Sequence, residues 1–143
     1  MAFMCMECYE VYGCSMEFCP KSGCDGSVFE IDELMLPAIK MLNEKGYFTE
    51  YCCSGHVYDN CCGAYVCLID FMTEVLDEEE KQKMMSMLPE PWKMSIDNYN
   101  RINFRCYLND NLRETDVVAY YEELLNANMS FLRFVEELPY LEY

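Results

Sequence analysis

Apolar and polar residues change their period several times along the chain, and each change marks an element. Residues 1–27 have no helical period. Rich in Cys, Gly and Ser, with Pro20 inside, they read as a loop-dominated knuckle. Ile31, Leu34, Met35, Ala38, Ile39 and Leu42 then recur at steps of three and four, the helical spacing. Pro37 lacks an N–H and fits only a first turn, so the regular helix starts near Leu36, after a short turn opened by Asp32. Gly46 after Lys45 supplies the C-terminal stop. The spacing predicts a helix over 37–45.

Residues 47–53 are aromatic and β-favouring and predict a strand. Residues 54–60 read as a loop, and the apolar run 64–71 as a central strand. Residues 77–88 predict a short helix. Its first turn places Asp77, Glu78, Glu79 and Glu80 at the positive end of the helix dipole, and Pro89 and Pro91 stop it. Residues 92–96 and 102–108 alternate and predict two more strands, around turn residues 97–100. Thr115 or Asp116 caps a helix running to about Asn126, and Ser130 opens another through Leu138. Val118, Tyr121, Leu125, Leu132 and Val135 form the apolar stripe of that region.

This order predicts an α+β fold. An N-terminal zinc knuckle over 1–27 precedes an α+β domain over 28–143. The domain is a small, mostly antiparallel sheet of about four strands with helices packed on one face.

At 143 residues and 52% hydrophobic, the chain can bury a core without disulfides. It has no run of about 18 apolar residues, so no transmembrane helix is expected. Its start has neither the basic nor the apolar region of a secretory signal. The expectation is a cytoplasmic protein with reduced thiols, where clustered cysteines read as metal sites. Twenty-six acids against 10 bases give a net charge of −16. Such a surface repels phosphate backbones and disfavours direct nucleic-acid binding. It suits solubility, or a basic protein partner.

The 11 cysteines are the strongest chemical signal. Two residues separate Cys5 from Cys8, so one tight turn can aim both sulfurs at one ion. Cys19 and Cys24 then close a tetrahedron of thiolates, with Gly23 and Gly26 giving backbone freedom beside them. Structural Zn²⁺ held by Cys5, Cys8, Cys19 and Cys24 is the expected use. Cys14 competes for a ligand place, and disulfides or an iron–sulfur cluster are the alternatives.

The second cluster surrounds the chain's one histidine. Cys52, Cys53, His56, Cys61 and Cys62 supply a candidate second metal site. The same segment admits an active loop, with Cys53 as nucleophile, exposed N–H groups at Ser54 and Gly55, and His56 as the titratable group. It equally admits a thiol-rich hairpin in which His56 makes only a hydrogen bond. Cys67 and Cys106 read as small buried hydrophobes. Arg101, Asn103 and Arg105 share one face of a predicted strand, and the two arginines offer an anion contact.

The segments Ile31-Asp-Glu-Leu34, Ala38-Ile-Lys-Met-Leu-Asn-Glu-Lys-Gly-Tyr-Phe-Thr49 and Cys52-Cys-Ser-Gly-His56 resemble a group of small uncharacterised proteins of Gram-positive bacteria and their phages. Those pair an N-terminal Cys knuckle with a Cys-Ser-Gly-His segment. The stretch 31–56 is also similar to the wybutosine-synthesis tRNA methyltransferase family, in which a helix ending in Asn leads through a strand to Ser-Ser-Cys-Ser-Gly-Arg. That similarity implies a shared helix–strand–loop core. His56 stands where the family has Arg, and Cys52 where it has Ser.

Two functional expectations survive. One is a zinc-binding, acidic, non-enzymatic protein that binds a basic protein surface, such as a nucleic-acid-binding effector. A phage-type, anti-CRISPR-like inhibitor of a bacterial defence nuclease, acting in the host cytoplasm, fits this size and charge. The other is an enzyme or RNA-modification accessory using the Cys53–His56 loop, with Arg101 and Arg105 near a phosphate.

Overall fold

A computed structural model describes residues 2–53, 61–66, 76–96, 98, 102–108 and 110–142. The described residues form an α+β fold with two antiparallel sheets.

The N-terminal segment is less loop-like than its composition suggests. β1 (Ala2–Cys5) pairs antiparallel with both β2 (Val11–Tyr12) and β3 (Val28–Ile31). The loop-dominated knuckle expected from sequence therefore carries a three-stranded sheet, in the order β2-β1-β3. Strands of two to four residues are too short to show a period of two. The partner that orders β1 lies more than 20 residues away, at Val28 to Ile31. Met4 and Ile31 carry this sheet into the main core.

α1 (Leu36–Glu44) begins as its proline requires. Met35 N–H bonds Asp32 O and Leu36 N–H bonds Glu33 O in the preceding turn, and Pro37 lies in the first helical turn. Its end is a Schellman motif. Gly46, at φ 93°, donates to Asn43 O, and Tyr47 N–H reaches Leu42 O at 2.8 Å. The buried Asn43 amide then donates to Ile39 O and to Thr49 Oγ1, which ties the helix to the next strand.

That strand, β4 (Thr49–Cys53), opens the second sheet. β5 (Cys61–Val66), β6 (Lys93–Ile96) and β7 (Ile102–Tyr107) complete it in the order β4-β5-β7-β6, with every pair antiparallel. The central strand expected at 64–71 is described from Cys61 to Val66; its remainder and the expected loop 54–60 lie outside the described residues. α2 (Glu78–Met87) starts with a capping box, in which Asp77 Oδ1 accepts from Glu80 N–H and Glu80 Oε2 from Asp77 N–H.

α3 (Asp110–Thr115) leads into α4 (Val117–Glu137), capped by Asp116. The break expected between Asn126 and Ser130 does not occur. Asn128 Nδ2 donates to Leu124 O and Ser130 Oγ to Ala127 O, so both polar side chains bond within the helix instead of ending it.

The expected stripe packs only in the second half of α4, where Val135 is buried and Leu132 lies against the core; in the first half the packed face is rotated from it. Tyr120, Leu124, Ala127, Phe131, Phe134 and Val135 are buried, whereas Val118, Tyr121 and Leu125 are exposed. Apolar residues cover most of this helix, and the aromatic core selects the face. Phe131 stacks on Trp92 at 4.5 Å between ring centroids, and Phe104 of β7 lies 5.5 Å from both Phe131 and Phe134. Trp92 Nε1 donates to Ala127 O at 2.9 Å, which fixes the helix along the sheet.

The chain's C-terminal region closes on Lys45. This lysine is only 5% exposed, and its Nζ donates to Val135 O, Glu136 O and Leu138 O at 2.7–2.9 Å. A cation thereby meets carbonyls at the end of α4, of which Val135 O also accepts from the capping Leu138 N–H, at the negative end of the helix dipole. Leu141 N–H bonds Lys45 O, and Tyr47 OH donates to Pro139 O. Lys45→Met keeps the aliphatic stem and removes all three donors. The expected cost is about 2–4 kcal/mol, read from chemical denaturation midpoints.

Candidate metal centre

Four thiols converge at one side of the N-terminal sheet. The sulfurs of Cys5, Cys8, Cys19 and Cys24 all lie within 4.8 Å of one another. Cys5 and Cys24 are 3.6 Å apart, and Cys8 and Cys19 are 3.7 Å apart. A tetrahedron with metal–sulfur bonds of about 2.3 Å has edges of about 3.8 Å, whereas a disulfide needs about 2.05 Å. The thiols stand at the spacing of ligands, and the cluster can hold a metal ion.

Two turns build it. Cys5 ends β1, and the chain reverses through Tyr9, whose φ of 59° is left-handed and whose N–H bonds Cys5 O at 3.0 Å. Glu7 N–H donates to Cys5 Sγ at 3.4 Å, which helps fix the sulfur's position in the turn. In the second turn Cys24 N–H bonds Lys21 O and Cys19 N–H bonds Gly26 O, with Gly23 at φ 81° between them. Met6 N–H donates to Ser27 O and holds the turns together. Gly26 serves by close approach, not by unusual φ. A Cβ there would lie 2.5 Å from Cys5 Sγ and 2.7 Å from Glu7 Cβ.

The four sulfurs are not electrostatically equivalent. Tyr12 OH lies 3.0 Å from Cys19 Sγ, and its hydrogen bond to the thiolate brings Cys19 down to about 7 against the opposing effect of burial. The same bond holds the Tyr12 phenol well above its ordinary value. At Cys24 the Gly26 N–H favours the thiolate, but burial and the neighbouring sulfurs outweigh it and push the thiol up to about 12. At Cys8 the Glu10 backbone likewise favours the thiolate, and burial with the Cys5 and Cys19 sulfurs leaves the thiol raised.

Cys14, the competing ligand, is exposed and stands outside the converging four. Tyr12 is the residue that spacing does not reveal. It reaches Cys19 because β2 pairs with β1, placing Tyr12 opposite Phe3.

The second cysteine cluster is spread over the larger sheet. Cys52 pairs with Ala64, Cys53 with Gly63, Cys61 with Tyr107 and Cys62 with Cys106. Cys106 is fully buried, and Cys52 packs against the same core. Ser54, His56, Cys67 and Arg101 lie outside the described residues. Arg105 Nη1 donates to Tyr107 OH at 3.4 Å, on the strand where the anion contact was expected.

Comparison of the chain with protein-family models, with curated proteins and with solved structures finds no match.

Gly26→Ala should weaken metal binding at least tenfold in a chelator competition, because the added methyl falls where Cys5 Sγ stands; unchanged affinity would show that the second turn shifts freely. Loading should also depend on pH. Cys8 and Cys24 hold protons above neutral pH, so a bound metal displaces them and apparent affinity rises with pH. Below about 7 Cys19 is protonated as well, and the slope should steepen. Titrating the metal-loaded protein with acid, with release followed by a chelating dye, measures both.

Proposed function

We propose that the four-thiol cluster is a structural Zn²⁺ site, and that this chain is an acidic, non-enzymatic interaction protein whose partner presents a basic surface. The convergence of Cys5, Cys8, Cys19 and Cys24 carries the first half of this reading. Four thiolates fill a tetrahedral zinc shell and leave no position for water or substrate, so the ion holds the fold and does no chemistry. Soft sulfur ligands in that geometry suit zinc.

Charge supports the second half. The chain has 26 acids and 10 bases. Glu78, Glu79 and Glu80 form an exposed row on α2, and Glu122, Glu136 and Glu137 are exposed on α4. A surface of that sign accelerates encounter with a basic partner and repels nucleic acid. In its narrower form the partner is a nucleic-acid-binding effector, and the protein a phage-type inhibitor of a bacterial defence nuclease. Acidic rows can compete there for the groove that takes a phosphate backbone.

Elemental analysis of protein purified without added metal should find one zinc per chain, and Cys8→Ser should lose it. A zinc-free chain with an unchanged melting temperature removes the structural site. For the partner, pull-downs use purified basic nucleases that bind nucleic acid. Neutralising Glu78, Glu79 and Glu80 to Gln should weaken retention, while His56→Ala leaves it intact. The reverse pattern would favour the loop enzyme instead.

A further inference from the structure

The outer side of α4 carries apolar residues that the fold does not use. Val117, Tyr121, Leu125 and Met129 recur every four residues with Val118 beside them, each 44–66% exposed. Over twelve residues this ridge runs about 18 Å. It continues at Met129 into a groove of about 600 Å³ against β7, lined also by Tyr107, Pro91 and Arg133. The surround is acidic. Between residues 114 and 137 the chain has six acids, Glu114, Asp116, Glu122, Glu123, Glu136 and Glu137, against the one base Arg133.

We infer that this ridge and groove dock a basic amphipathic helix of the partner protein. The inference rests on the interaction reading above and names its site and the partner's chemistry. A ridge at helical spacing matches anchors repeating at i, i+4 and i+7 on a facing helix. Lysines and arginines bordering those anchors reach Glu114, Glu122 and Glu136, whereas a second copy of this chain would bring the same acids face to face. The apolar ridge supplies affinity and the acidic border supplies choice of partner.

The test uses a fluorescent 18-residue peptide of Leu and Lys with leucines at i, i+4 and i+7. Its controls are the same composition with that spacing broken, and a Leu/Glu version. Fluorescence anisotropy should show the patterned basic peptide binding wild type at least tenfold more tightly than either control. Y121S/L125S/M129S should lose at least tenfold, with helix content checked by circular dichroism. The single change Leu125→Lys should lose comparably if the triple variant folds poorly. Equal binding to wild type and variants overturns the inference and leaves the interaction reading standing. If no basic peptide binds, and neutralising the acidic rows changes no pull-down, both fall. Sedimentation showing a wild-type dimer that the triple variant abolishes would assign the ridge to self-association and also overturn it.

Discussion

The knuckle buries too little to hold itself. The buried members of its own apolar cluster are Cys5, Cys19 and Val28, two of them thiols of the converging set. Small segments of this kind need a staple, because apolar burial falls short of chain entropy. Four sulfurs at ligand spacing can supply one by holding a metal ion. The turns at Cys8 and at Cys19 to Cys24 bring the cluster together beside the sheet in which β1 pairs with β2 and β3. Through Met4 and Ile31 the same sheet also packs into the main core, which joins the knuckle to the rest of the chain.

A second constraint runs through Lys45. It follows α1 in sequence yet satisfies carbonyls at the end of α4. In a chain with a net charge of −16, a buried cation at the negative end of a helix also offsets the local excess of acid. Asn43 and Tyr47, on either side of it, fasten β4 and Pro139. One short helix end thus organises the larger sheet, the last helix and the C-terminal residues together.

Much of this was legible locally. Pro37, Gly46, Asp77 and Asp116 mark element ends by backbone chemistry alone, and each stands at such an end. The convergence of the four thiols was legible from spacing, since thiols two residues apart on a tight turn can face one ion. The continuity of α4 through Asn126 to Ser130 was not, because those residues end or continue a helix according to where their side chains bond. Nor was its buried face. Several of its apolar stripes satisfy helical spacing, and only Trp92 and Phe104 on the sheet choose among them.

By itself the sequence determined the α+β class, the helix and strand types of the elements from α1 to β7, the acidic charge and the four thiols that belong together. These follow from local backbone preference, hydrophobic period and ligand spacing, which act within a few residues. Only the tertiary structure decided what depends on distant pairing. It gave the knuckle its sheet by bringing β3 back to β1, placed Tyr12 against Cys19, and set Cys52 and Cys53 in register with Ala64 and Gly63 of the larger sheet. It also left Tyr121, Leu125 and Met129 outside the core. A chain cannot state such things in its local pattern, because each is settled by which remote surface arrives to cover it.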